Sequence, residues 1–144
     1  MNIRMDFPIY FTLQQARAML PEVKSSLEKI MKLKKEINLL KSIKIDSNEK
    51  SIGAELALME LNQKYFKKMH IFYKELSELT KNGIVVKDVN DGLVDFYSKQ
   101  GDTDILLCWK YGEPDINYWH YIDVGFAGRK SISLLEDNKS VKSN

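Results

Sequence analysis

Apolar residues in the first half of the chain recur at spacings of three and four. Ala16, Met19, Leu20, Val23, Leu27, Ile30, Met31, Ile37 and Leu40 fall on one helical stripe. Lys24, Lys29, Lys32, Lys34, Lys35 and Lys41 take the solvent face. The helix opens on T-L-Q-Q, Thr12 to Gln15, a capping-box signature, with Phe11 placed to staple onto Ala16. Pro21 interrupts the stripe, because a proline lacks the N–H and crowds the carbonyl of Arg17. It predicts a kink or, as the preferred reading, a short helix Thr12–Leu20 and a longer one with Pro21 in its first turn. Residues 44–51, KIDSNEKS, read as a turn. A second helix runs from about Ile52 to Lys81. Its apolar positions Ile52, Leu56, Met59, Phe66, Met69, Phe72, Leu76 and Leu79 recur close to a coiled-coil period. Asn82-Gly83 supplies a left-handed stop.

Two such helices joined by a short turn form an antiparallel hairpin. The second is about 45 Å long at 1.5 Å per residue, longer than a small domain is wide. The remaining residues are too few to cover both of its sides. Self-association, as a homodimer whose two hairpins form a four-helix bundle, is the expected solution.

After Gly83 the period shortens to two. Ile84–Lys87, Leu93–Ser98, Asp104–Lys110 and Tyr118–Ile122 read as strands. Asn90-Asp91-Gly92 and the turn at Gly101 make tight connections between them. The unbroken apolar run from Ile105 to Trp109 marks a strand buried on both faces. The expected fold is α+β within one domain, residues 1–144. The hairpin spans 11–82, an antiparallel meander of three to four strands spans 83–130, and a polar tail spans 131–144.

Composition narrows the function classes. The chain carries 22 Lys/Arg and 20 Asp/Glu, a net charge of +2, so nucleic acid is a poor fit. No apolar run approaches the about 20 residues of a membrane span, and the N-terminus lacks the pattern of a signal peptide. The single cysteine, Cys108, excludes an intrachain disulfide and a zinc site of several thiolates. The expected compartment is the cytoplasm.

Reactive and aromatic residues concentrate between Cys108 and Arg129, CWKYGEPDINYWHYIDVGFAGR. This stretch, with Y-F-T-L-x-x-A at Tyr10–Ala16, Leu20-Pro21 and G-L-V-D-F at Gly92–Phe96, resembles the domain-of-unknown-function family DUF2203 over roughly residues 10–130. The family commonly carries a proline after D-F, where this chain has Tyr97. The resemblance implies a helical hairpin with a small β unit and carries no activity with it.

Chemistry must therefore be read from the residues. His120, Asp123 and Glu113 are ligand types for a divalent metal ion, and Asp95 from another strand could join them. Strand parity opposes the set, because His120 and Asp123 point to opposite faces of a straight strand. The structural alternative has His120 packed beside Trp119 and bonded to a backbone carbonyl or to Asp95. Gly125–Arg129 offers an anion loop with Arg129 as clamp. The competing reading is a tight turn with Arg129 paired to Asp123, Asp95 or Glu113. Trp109, Tyr118, Trp119 and Phe126 form an aromatic cluster whose acidic surroundings favour packing over nucleobase stacking. Cys108 has His120 as a conceivable base, but it lies within a buried strand, where a thiol is inert. Two functions follow. One is a cytosolic homo-oligomeric structural or interaction module, for which no catalytic constellation is complete. The alternative is a metal- or small-anion-binding protein, conceivably a hydrolase, using Asp95, Glu113, His120, Asp123 and Arg129.

Overall fold

The computed structural model describes residues 8–43 and 51–135. The expected turn at 44–51 lies almost wholly outside them, as do the first seven residues and the tail from 136 onward. Two helices, α1 (Leu13–Ser42) and α2 (Ile52–Lys81), form a hairpin. They are followed by β1 (Ile84–Asp88), β2 (Leu93–Gln100), β3 (Thr103–Lys110), β4 (Tyr118–Tyr121), a 3-10 turn at Phe126–Gly128 and β5 (Lys130–Ser131). The strands form one antiparallel sheet in sequence order, so the architecture is α+β. Among the described residues no helix is long and apolar enough to cross a membrane.

The α1 start is the expected capping box. Thr12 Oγ1 accepts from the Gln15 amide at 3.1 Å, and Gln15 Oε1 accepts from the Thr12 amide at 2.9 Å. Phe11 is buried in the same core as Ala16; its amide donates to the Tyr97 carbonyl at 2.8 Å and its ring stands edge-on to Phe96. Pro21 does not divide the helix. α1 runs through it as one element of 30 residues, which corrects the two-piece reading. Losing one backbone bond costs about 3 kcal/mol. Ala16 on one side of Pro21, and Val23, Leu27, Ile30 and Ile37 on the other, are 0–1% exposed. Only an uninterrupted helix keeps that stripe in phase, and burying one such side chain contributes about 1.5–3 kcal/mol. Pro21 itself faces outward.

One face of the sheet packs on the hairpin. Val94 and Phe96 of β2, Ile105, Leu107 and Trp109 of β3 and Trp119 of β4 join α1 residues in a continuous core. Two glycines permit close approach. Gly83, at φ +87, ends α2 against Ile9, and Gly92, at φ +71, turns into β2 where a Cβ would sit 2.5 Å from Tyr111 Cβ. The strands come within two residues of the expected ends. β5 was not foreseen, since a two-residue strand gives no periodicity; it adds to β4 through Tyr118↔Ser131 and Trp119↔Lys130.

Candidate functional site

The opposite face of the sheet carries the polar chemistry. Alternation along β2 sends Val94 and Phe96 to the hairpin and Asp95 to the other side. Register places Asp95 opposite Cys108 on β3 and Leu106 opposite His120 on β4. Asp95, Cys108 and His120 thus share one face as near neighbours on three strands. They are 1%, 0% and 3% exposed. Their ligand-type atoms all lie within 4.8 Å of one another.

His120 is fixed from both sides. Its Nδ1 is 2.8 Å from the Tyr121 carbonyl oxygen, which can only accept, so Nδ1 carries a proton and donates. Its Nε2 faces the Asp95 carboxylate, 3.4 Å from Oδ1 and 3.3 Å from Oδ2. Nε2 and the two carboxylate oxygens thus face each other at a separation longer than a charge-assisted hydrogen bond. Burial lifts the Asp95 carboxyl above the usual carboxylate range, opposed by His120, the Cys108 thiol and Lys87. Lys87 reaches in from the surface, its Nζ 4.0 Å from Asp95 Oδ2. Burial pushes the Cys108 thiol up to about 12, with the Asp95 charge adding to the effect. A thiol so held is protonated at neutral pH and is no nucleophile.

A second constellation lies beside the first. Arg129 forks onto Glu113, with Nη1 to Oε2 at 2.9 Å and Nη2 to Oε1 at 2.6 Å, and Nη2 also donates to the Cys108 carbonyl at 3.3 Å. Glu113 Oε1 further accepts the Lys110 amide at 2.7 Å. The guanidinium stacks 4.1 Å from the Tyr118 ring centre and 4.4 Å from that of Phe126. Burial disfavours the Arg129 charge, but pairing with Glu113 and the contact with Cys108 outweigh it and raise its pKa. The fork ties the loop between β3 and β4 to the turn before β5. The 111–117 loop is also held to α1: Arg17 Nη2 donates to the Ile116 carbonyl at 2.9 Å, and Tyr111 Oη to Glu28 Oε2 at 2.5 Å.

The five residues singled out from the sequence therefore separate. Asp95 and His120 come together; Glu113 and Arg129 come together; Asp123 is exposed in the turn after β4. Neither Glu113 nor Asp123 belongs to the compact donor cluster. Trp109 and Trp119 are buried, with their indole N–H groups donating to the Glu113 and Ser131 carbonyls at 3.0 and 3.1 Å. Tyr118 and Phe126 are partly exposed, as plates over Arg129. Two members escaped sequence reasoning: Cys108 as a neighbour of Asp95, and Lys87. Parity from Gly92 could have put Asp95 and Cys108 on one face, but only with the register known.

The sequence model of an uncharacterized conserved protein family, DUF2203, matches residues 9–132. Neither the curated proteins nor the solved structures offer a match.

Proposed function

Starting from the fact that the chain belongs to the DUF2203 family, we propose that it is a homodimeric structural or interaction module assembled through α2. The observation that carries this is an exposed apolar stripe at strict heptad spacing. Ile52, Met59, Phe66 and Tyr73 are 70%, 58%, 64% and 58% exposed. Their immediate predecessors Leu58, Tyr65 and Phe72, with Leu79, form the inner row, in which Phe72 and Leu79 are buried. The outer row lies about 100° round the helix from it.

The occupant that fits is a second copy. Each stripe residue leaves on the order of 100 Å² of mostly apolar surface bare. Four of them make a patch at the upper end of what a monomer tolerates. Pairing two stripes with their flanks buries on the order of 1,000 Å², the threshold of a specific interface. Charge gives the direction. Residues 52–62 carry Glu55 and Glu60 and no Lys or Arg, whereas 63–74 carry Lys64, Lys67, Lys68 and Lys74 and no acid. Two α2 helices crossing antiparallel about a two-fold axis near residue 63 set each acidic half against a basic half. Phe66, His70 and Tyr73 also line an open groove of about 630 Å³, which gives the facing side chains room. The two hairpins then form a four-helix bundle with the β units presented at its ends. The same reading places the module in the cytosol, where its one thiol stays reduced.

Sedimentation equilibrium tests the proposal. The expected species at micromolar concentration is twice 16.7 kDa, and Phe66→Glu is expected to give a monomer with unchanged helical circular dichroism. A wild-type monomer at that concentration would sink it.

A further inference from the structure

The buried Asp95–Cys108–His120 cluster stands apart from the proposed dimer face. We propose that it is a binding site for one zinc-class divalent cation, held by a carboxylate oxygen of Asp95, Sγ of Cys108 and Nε2 of His120.

The contact between Nε2 and the carboxylate is the first argument. A charge-assisted hydrogen bond closes to about 2.7–2.9 Å. Here both carboxylate oxygens stand off, at 3.3 and 3.4 Å, in an otherwise close-packed interior. Zinc bonds of about 2.0–2.1 Å to nitrogen and oxygen make a tetrahedral edge of about 3.3 Å. The donors are therefore spaced for an ion between them rather than for each other. With a zinc–sulfur bond of about 2.3 Å the edges to sulfur are about 3.6 Å. Sγ lies within 4.8 Å of the other two atoms, so a shift of no more than about 1.2 Å closes the third side.

The outer contacts also fit. Metal-bound histidines hand their second ring nitrogen to a carbonyl or carboxylate, which fixes the tautomer and aims the ring. His120 Nδ1 does this to the Tyr121 carbonyl, leaving Nε2 as the inward donor. The three donors come from β2, β3 and β4, so the sheet sets their geometry without help from any loop. A mixed nitrogen, oxygen and thiolate set selects zinc and its borderline neighbours over magnesium or calcium. Three protein donors leave a fourth position for water. The Lys87 ammonium, 4.0 Å from Asp95 and half exposed, shows a positive charge already drawn to the outer edge of the cluster. Binding displaces the Cys108 thiol proton, so that the thiolate and the Asp95 carboxylate together offset the charge of the dication.

Cobalt reports the site directly. Untagged protein is treated with EDTA, moved to metal-free buffer and titrated with Co²⁺. The expected result is one Co²⁺ per chain, with a sulfur-to-cobalt charge-transfer band, the intense visible bands of tetrahedral cobalt, and loss of both on adding Zn²⁺. Cys108 is the sole cysteine, so such a band identifies it whether or not any variant folds. Asp95→Asn is expected to weaken binding at least tenfold, and Asp123→Asn, at an exposed carboxylate outside the cluster, to leave it unchanged. Cobalt bound only with a weak octahedral spectrum, or no binding at all, overturns the site. So does affinity that survives Asp95→Asn.

Discussion

Raising the pH exposes what burial does to Cys108. The thiol is fully buried among Asp95, His120 and the Arg129 guanidinium, and it titrates at about 12 rather than the ordinary 9.0. In the unfolded chain it ionises near 9. The folded value is raised, so the folded state keeps a proton that the unfolded state gives up. The stabilisation is complete below pH 9 and is lost as pH rises toward 12. The slope is about 1.4 kcal/mol per pH unit for one proton, so the full loss over three units is roughly 4 kcal/mol. That is a large part of the about 5–15 kcal/mol that holds a domain folded. Urea unfolding of wild type and Cys108→Ala, with EDTA and reductant present, checks this from pH 7 to 11. The variant loses a small volume at every pH, a constant offset. Lysines and tyrosines titrate in both proteins and cancel. The stability difference is expected to be flat to about pH 9 and then to shift against wild type by roughly 3 kcal/mol at pH 11. Parallel curves across the whole range would refute the reasoning, because the thiol would then be as free to ionise in the fold as outside it.

Two further substitutions probe the scaffold. Arg129→Lys keeps the charge but loses the fork onto Glu113 and the stacking on Tyr118 and Phe126. Partly buried charged pairs of this geometry support a loss of about 1–3 kcal/mol in chemical denaturation, and an unchanged midpoint would show that the fork is only decorative. Gly92→Ala forces a Cβ to within 2.5 Å of Tyr111 Cβ at a φ of +71. A melting temperature lower by several degrees is expected, and a neutral result would mean that the turn relaxes freely.

Much of the fold was legible because its signals are local. The capping box, the helical stripe, the Asn82-Gly83 stop and the strand alternation each act within a few residues. At Pro21 the local cost is visible in sequence, while the compensating burial of Val23, Leu27 and Ile30 in the shared core is not. β5 escaped because its pairing comes from β4, not from its own two residues. The candidate site was legible only in part. Asp95, Glu113, His120, Asp123 and Arg129 were named as one group. The fold sorts them into a buried Asp95–His120 pair, a Glu113–Arg129 fork and an exposed Asp123.

The sequence by itself determined the buried stripe of α1, the doubly buried run of β3, where the chain turns, and that α2 is lined with apolar positions. These follow from periodicity, and periodicity is a property of neighbours in the chain. Only the tertiary structure decided that Cys108 sits beside Asp95 and one strand from His120. That depends on the registers Asp95↔Cys108 and Leu106↔His120. A slip of one residue would turn His120 toward the hairpin. Those registers are fixed by the turn at Gly101 and by the anchoring of the 111–117 loop to Arg17 and Glu28, contacts that span 83 to 99 positions of chain.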